Sequence, residues 1–195
     1  RLVLVCAGGG ADGYGLLESY LAGLRDHPFD APVHSHIVSG PEMPEASRRE
    51  LAALHARLPA AQRAVVSLRD FCDDMNGTIG AADVVVAMGG YNTVCELLSL
   101  RKRSVIVPRV RPVAEQWIRA ERMARMGLLT ALHPDDATPA RLNRAVRGEL
   151  ERTNVVPHLT LDMDGLARVS AEIDGLLAAR ETVQEGEYRW ALGAR

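Results

Sequence analysis

Aromatic residues make up only 4 % of the 195-residue chain. So few π-faces exclude the stacking platforms on which proteins hold single-stranded nucleic acid. Charge of one sign is missing too: 23 Lys and Arg stand against 25 Asp and Glu, a formal net charge of −2. That balance serves neither a nucleic-acid partner nor an anionic lipid surface. No apolar run approaches the roughly 20 residues that span a bilayer, and no signal peptide precedes the first apolar segment. Cysteine is scarce and odd in number. Cys6, Cys72 and Cys95 form neither a disulfide framework nor a zinc pattern, which points to a reducing, cytoplasmic compartment. An initiator methionine is missing as well: residue 1 is arginine and Leu2-Val3-Leu4-Val5 follows at once, so the sequence reads as a piece of a longer protein.

What is present is an ordinary globular composition, 47 % hydrophobic and 25 % charged. Residues 2–6 form a continuous aliphatic run that stops at glycines, the mark of a strand buried on both faces. Leu16, Leu17, Tyr20, Leu21 and Leu24 then make a helical stripe. Residues 33–38, 65–68, 84–88, 104–107 and 128–132 read as further strands, and 93–100, 114–126 and 164–179 as helices. Ser47-Arg48-Arg49-Glu50 has capping-box spacing and predicts a helix start. Thr138-Pro139 predicts another, running to Leu150. This alternation implies an α/β fold: a doubly wound, Rossmann-like parallel sheet of about six strands with helices on both faces. One domain is expected over residues 1–180, with a loose polar tail over 181–195.

In an open α/β sheet, ligands bind beyond the carboxyl ends of the strands. Two such ends are rich in glycine. Gly8, Gly10 and Gly13 fit the G-x-G-x-x-G dinucleotide fingerprint, where close backbone approach and a helix N-terminus receive a phosphate. The nicotinamide reading also needs an acid closing the second strand, and that end reads Val38-Ser39-Gly40-Pro41. A tight turn that requires glycine and binds nothing is the plain alternative. The second turn, Gly89-Gly90-Tyr91-Asn92-Thr93, offers flexible backbone, a hydroxyl and unpaired helix N–H groups, with the Glu96 carboxylate one turn later. Thr93-x-x-Glu96 is itself a capping box, so a structural role accounts for both residues equally well.

Read in order, Phe71-Cys72-Asp73-Asp74-Met75, Ala82-Asp83-Val84-Val85-Val86, Gly89-Gly90-x-x-Thr93-x-x-Glu96-Leu97, Val107-Pro108-Arg109 and Glu115-Gln116 resemble one known family. It is the nucleotide-sugar-binding C-terminal domain of GT-B glycosyltransferases, family 28, which includes the N-acetylglucosaminyltransferases of peptidoglycan lipid synthesis. The resemblance runs from the first glycine turn to about Leu128. It implies half of a two-domain enzyme whose N-terminal acceptor domain precedes Arg1. That enzyme is an inverting, metal-independent hexosyltransferase that takes a UDP-sugar donor, with UDP-N-acetylglucosamine as a candidate. Gly89, Gly90, Asn92 and Thr93 are implied at the diphosphate, Glu96 at the ribose hydroxyls, and Phe71, Cys72 and Met75 around the base. Glu115 and Gln116 are implied at the donor sugar, and Gly10 in a loop facing the interdomain cleft. No cofactor and no metal ligand set is expected, and the catalytic base falls in the N-terminal half. Membrane association, if any, belongs to that half.

Three competing functions are weighed against this one. A similar domain serves as a separate subunit of the N-acetylglucosaminyltransferase of dolichol-linked glycan assembly, beside a membrane-bound partner chain. A UDP-sugar epimerase needs acids and a histidine converging on the sugar, which these residues do not assemble. A nicotinamide enzyme lacks its ribose-binding acid. The chain also departs from the family where Arg101-Lys102-Arg103 replaces the usual Gly-Lys-Pro, which predicts either a strained helix end at Arg101 or a different turn there. Asp73-Asp74 and Asp135-Asp136 read as helix caps. His34, His36, His55, His133 and His158 carry no assignable chemistry, Trp117 reads as packing, and Trp190 as a docking residue for a partner domain.

Overall fold

The computed structural model describes residues 1–30, 32–153 and 164–192, with side chains described as far as residue 178. It divides into two compact units, Arg1–Pro157 and His158–Arg195. Within the first, strand and helix alternate in chain order: β1 (Leu2–Cys6), α1 (Tyr14–Asp26), β2 (His34–Val38), α2 (Glu45–Ala56), the short α3 (Ala60–Arg63), β3 (Val66–Arg69), α4 (Met75–Ala81), β4 (Val84–Ala87), α5 (Tyr91–Ser99), β5 (Ser104–Ile106), α6 (Glu115–Arg125), β6 (Thr130–Ala131) and α7 (Pro139–Glu151). The six strands form one sheet in the order β3-β2-β1-β4-β5-β6, and every pairing is parallel. The doubly wound α/β expectation is met.

The period of two along each strand separates two cores. Val3 and Val5 of β1, with Val84 and Val86 of β4, face Leu17, Leu21, Leu51, Leu142 and Val146. Leu4, Cys6, Val85 and Ala87 turn the other way, onto Ile79, Leu97, Ala120 and Leu129. One layer is therefore α1, α2 and α7, and the other is α4, α5 and α6. Because β1 and β4 are buried on both faces, their sequences read as unbroken aliphatic runs instead of alternating ones.

Helix ends show where local signals held and where they did not. Asp74 caps α4, its Oδ1 accepting from the Gly77 N–H at 2.7 Å, and Thr138 caps α7 through the Arg141 N–H at 3.4 Å. By contrast, α2 starts at Glu45 with Pro44 as its cap, two residues before the Ser47 signal. Proline pre-sets the backbone and lacks an N–H to satisfy, so it begins the helix without a side-chain cap. At the end of α5 the Arg101 and Lys102 N–H groups bond Leu98 and Leu97 carbonyls at 3.1 and 2.8 Å, with Arg101 at φ +51. This is a Schellman turn carrying arginine in the left-handed position that favours glycine, the strained one of the two expected outcomes. Helix α6 ends in a similar way at Gly127, φ +72.

In the second unit, α8 runs over Gly165–Leu192, past the expected stop at residue 179 and through most of the stretch read as a loose tail. Leu166, Val169, Ile173, Leu176 and Leu177 are exposed on it. His158 and the side chain of Trp190 lie outside the described residues. Among the described residues, no helix is long and apolar enough to cross a membrane.

Candidate functional site

The sheet order puts β1 beside β4, with α1 and α5 leaving to opposite faces. A crevice therefore opens at this switch point, beyond the strands' carboxyl ends. Both glycine turns lie there.

The first turn is held by backbone. Gly8 and Gly10 sit at φ +64 and +97, and a Cβ on Gly10 would come within 2.3 Å of the Ser39 carbonyl oxygen. Gly40, at φ +91 after β2, approaches the carbonyls of Gly8 and Gly9 so closely that its own Cβ would fall 2.4 Å from each. The Glu42 N–H adds a 2.7 Å bond to the Gly9 carbonyl. The loops after β1 and β2 thus interlock, and Gly10 is buried between them. Asp12 closes the far side through a 3.1 Å ion pair with Arg109, beyond β5.

The second turn is open. Gly90 is the cap of α5, at φ −57 and ψ 144, with no side-chain capping bond. A Cβ there would meet nothing nearer than Thr93 Oγ1 at 3.9 Å. The first helical bond runs from the Val94 N–H to the Gly90 carbonyl at 3.0 Å. The N–H groups of Tyr91, Asn92 and Thr93 precede it and have no acceptor within the helix. Thr93 is therefore inside the helix, and the Thr93–Glu96 capping box does not form. This removes the structural explanation for the pair. Gly89 is tighter, facing Pro108 Cβ at 3.1 Å and Gln116 Cβ at 3.4 Å.

The other expected site residues lie on the segments and helix starts that follow β3 and β5. Cys72 follows β3, its Sγ 3.3 Å from Thr78 Oγ1, and Phe71 beside it is 62 % exposed. Met75 opens α4 and packs against the core that holds Cys6 and Leu97. Burial pushes the Cys6 thiol up to about 12, and the Glu96 carboxylate and Cys72 both add to the rise. Glu115 and Gln116 open α6, where Gln116 Oε1 accepts from the Arg109 N–H at 3.0 Å. A cleft of about 630 Å³ nearby is lined by Asp12, Met88, Pro108, Arg109 and Asp135, and by none of the expected site residues.

Sequence reasoning missed Arg119. Its Nη2 donates to the Gly89 carbonyl at 2.6 Å, its Nη1 pairs with Glu115, and its guanidinium lies 5.6 Å from the Tyr91 ring centroid. The side chain is only 17 % exposed, and its Nε is buried without a partner. The one signal available was the i,i+4 spacing from Glu115, which on its own describes an ordinary surface pair. The histidines have local duties: His36 bonds Ser67 Oγ at 2.6 Å, His55 meets the Val66 carbonyl at 2.9 Å, and His133 packs edge-on against Trp117. Burial, with the Arg69 charge behind it, lowers the pKa of His36. Among the described residues no three His, Cys, Asp or Glu side chains gather to hold a metal ion.

A parallel sheet in this order, with an open helix N-terminus at the switch point, is a doubly wound, Rossmann-like fold of the kind found in GT-B glycosyltransferases. Residues 30–155 match the family described as the glycosyltransferase family 28 C-terminal domain, and the chain belongs to that family. It is 32 % identical, over 132 residues, to the UDP-N-acetylglucosamine--N-acetylmuramyl-(pentapeptide) pyrophosphoryl-undecaprenol N-acetylglucosamine transferase of Sorangium cellulosum. That alignment covers 62 % of this chain and 31 % of the relative, so the match spans about a third of the relative's length. Among solved structures, Acinetobacter baumannii MurG superposes with TM-score 0.64 at 24 % identity, covering 80 % of this chain and 43 % of that one. The solution structure of ALG13 superposes at 0.55 with 15 % identity, covering 87 % and 94 %. These likenesses show the fold.

Proposed function

We propose that the chain is the donor-binding part of an inverting, metal-independent glycosyltransferase that moves a sugar from a UDP-sugar to an acceptor hydroxyl. The observation that carries this is the second glycine turn. Three backbone N–H groups and the positive end of α5 face a space that Gly90 leaves clear, with Glu96 one turn beyond. A diphosphate accepts from those N–H groups, and a carboxylate takes hydrogen bonds from both hydroxyls of a ribose. Phe71, Cys72 and Met75 would border the base, and Glu115 and Gln116 the sugar. Gly10 keeps the first turn in place beside the leaving group.

The chemistry follows from that placement. As the acceptor oxygen attacks the anomeric carbon from the face opposite UDP, negative charge grows on the departing diphosphate. Fixed N–H donors and a helix dipole stabilise this charge without reorganising, the role that a metal ion plays elsewhere. The attacking hydroxyl needs a base on the acceptor side, which this reading assigns to a separate N-terminal domain. UDP-N-acetylglucosamine is the favoured donor because the Sorangium relative is named for it.

Calorimetric titration of the chain with UDP, GDP, dTDP and NAD tests the reading. UDP should bind preferentially, and E96A should weaken it about ten-fold or more, the scale of a lost charged hydrogen-bond pair, whereas E50A should not. Equal binding of NAD, or indifference to E96A, overturns it. A second reading, a separate subunit completed by a partner chain, is favoured by the extent of the fold alone, which covers 94 % of ALG13. Sugar transfer that appears only when a second polypeptide is supplied would support it.

A further inference from the structure

The ion pair between Arg119 and Glu115 sits against the second turn, and its two ends are unequal. Arg119 is fixed: a 2.6 Å bond to the Gly89 carbonyl and the Tyr91 ring hold the guanidinium, and only 17 % of the side chain meets solvent. Glu115, on the first turn of α6, is 59 % exposed. A partly buried cation beside the N-terminus of α5 adds its charge to the positive end of that helix, an arrangement that favours an anion. Glu115 supplies that anion here. Its carboxylate is also the more weakly held partner, since leaving costs it one contact and returns it to water.

Building on the donor reading, we infer that Arg119 is a binding residue for the donor's diphosphate and that Glu115 holds the phosphate's place on it. The guanidinium holds the Gly89 carbonyl, so the peptide entering α5 stays oriented while the N–H groups of Tyr91, Asn92 and Thr93 take up phosphate oxygens. Phosphate displaces Glu115 from Nη1, and the freed carboxylate turns to accept from a hydroxyl of the sugar. Diphosphate binding thereby prepares the sugar contact, and the two halves of the donor reinforce each other. Lysine cannot replace this arginine fully, because the fork is needed to hold carbonyl and anion at once.

The test compares two substitutions of opposite sign in titrations of the chain with UDP and with uridine. R119Q should weaken UDP about ten-fold or more, the scale of a charge-assisted hydrogen bond, and leave uridine within about two-fold. E115Q, which removes the competing anion, should tighten UDP by about three-fold. R119K should fall between R119Q and the unaltered chain. An ion pair that only braces α6 gives the opposite result: E115Q weakens UDP, or R119Q weakens UDP and uridine alike, and either overturns the inference. If R119Q does not fold, the sign of E115Q and the rank of R119K still decide. Failure of the unaltered chain to bind UDP overturns the donor reading and this inference together, whereas UDP binding that E115Q weakens overturns the inference alone.

Discussion

Two glycine turns lie side by side at one switch point, yet their glycines answer different needs. In the turn after β1, Gly10 faces the Ser39 carbonyl, and its partner Gly40 faces those of Gly8 and Gly9, at distances no Cβ tolerates. Each of these glycines is consumed by the fold. In the turn after β4, Gly90 has an ordinary negative φ and open space where its side chain would be. Nothing in the protein requires glycine there, so the requirement falls on whatever occupies that space. A glycine-rich motif is therefore evidence of a ligand only after the protein's own backbone has been tested as the occupant. The turn with the better match to a dinucleotide fingerprint is the one that the fold explains away.

The contrast can be broken most forcefully at the first turn. Gly40→Ala places a methyl 2.4 Å from two carbonyl oxygens at φ +91. Left-handed strain and overpacking together should cost about 3 kcal/mol or more. Urea denaturation should show this as a lowered midpoint, and UDP affinity of the protein that remains folded should be little changed. A stable Gly40→Ala protein with lost UDP binding would reverse the roles given to the two turns.

Much of this contrast was legible in the sequence, and the rest was hidden for a physical reason. The aliphatic runs of β1 and β4, the glycine turns that follow them and Asp74 as a cap are local signals, complete within a few residues. Arg101 in the left-handed position is local too, because a Schellman turn is built from one helix end. Gly40 was not legible as the partner of Gly10, since only the β1–β2 register brings residues thirty apart in sequence together. Arg119 was hidden for the same reason: α6 and the turn before α5 meet only through the sheet. The start of α2 misled because a strong capping box at Ser47 competed with a proline, Pro44, that immediately precedes the first helical residue Glu45.

The second turn belongs to a helix whose far end is strained, and that strain offers a smaller test. Arg101→Gly should relieve about 1–2 kcal/mol of left-handed backbone cost, against about 0.4–1 kcal/mol of added unfolded-state entropy. Net stabilisation of about 0.5–1 kcal/mol is expected in urea melts, with UDP affinity unmoved. Altered affinity would mean that the two ends of α5 communicate, and the open turn would then owe its shape to the strained one.

Smaller again is the ion pair that joins the first turn to the loop after β5. Asp12 and Arg109 are both about half exposed, 45 % and 50 %, at 3.1 Å. Exposed pairs of this kind contribute about 0–1 kcal/mol. Asp12→Asn should therefore shift the melting midpoint only slightly, and the shift should shrink further in high salt as the charges are screened. A large loss would show that the first turn depends on this side chain as well as on its glycines.

The smallest expected effect on folding is the most informative. Gly90→Ala adds a methyl at a backbone conformation that alanine adopts freely, with Thr93 Oγ1 at 3.9 Å as its nearest neighbour. Alanine is a poorer helix cap than glycine, by up to about 1 kcal/mol, and it has less freedom to lose on folding, by about 0.4–1 kcal/mol. The two effects oppose each other and leave stability within about 0.5 kcal/mol. Binding should respond differently. The methyl enters the space in front of the Tyr91, Asn92 and Thr93 N–H groups, where a phosphate oxygen must come within hydrogen-bond distance, about 2.9 Å. A shift of a few tenths of an ångström in the ligand forfeits much of those bonds, so UDP affinity should fall about ten-fold or more. Gly10 and Gly90 then separate cleanly, one glycine kept for the fold and the other for a guest. Unchanged affinity in a stable Gly90→Ala protein would remove the open turn's claim to a ligand and leave both turns as architecture.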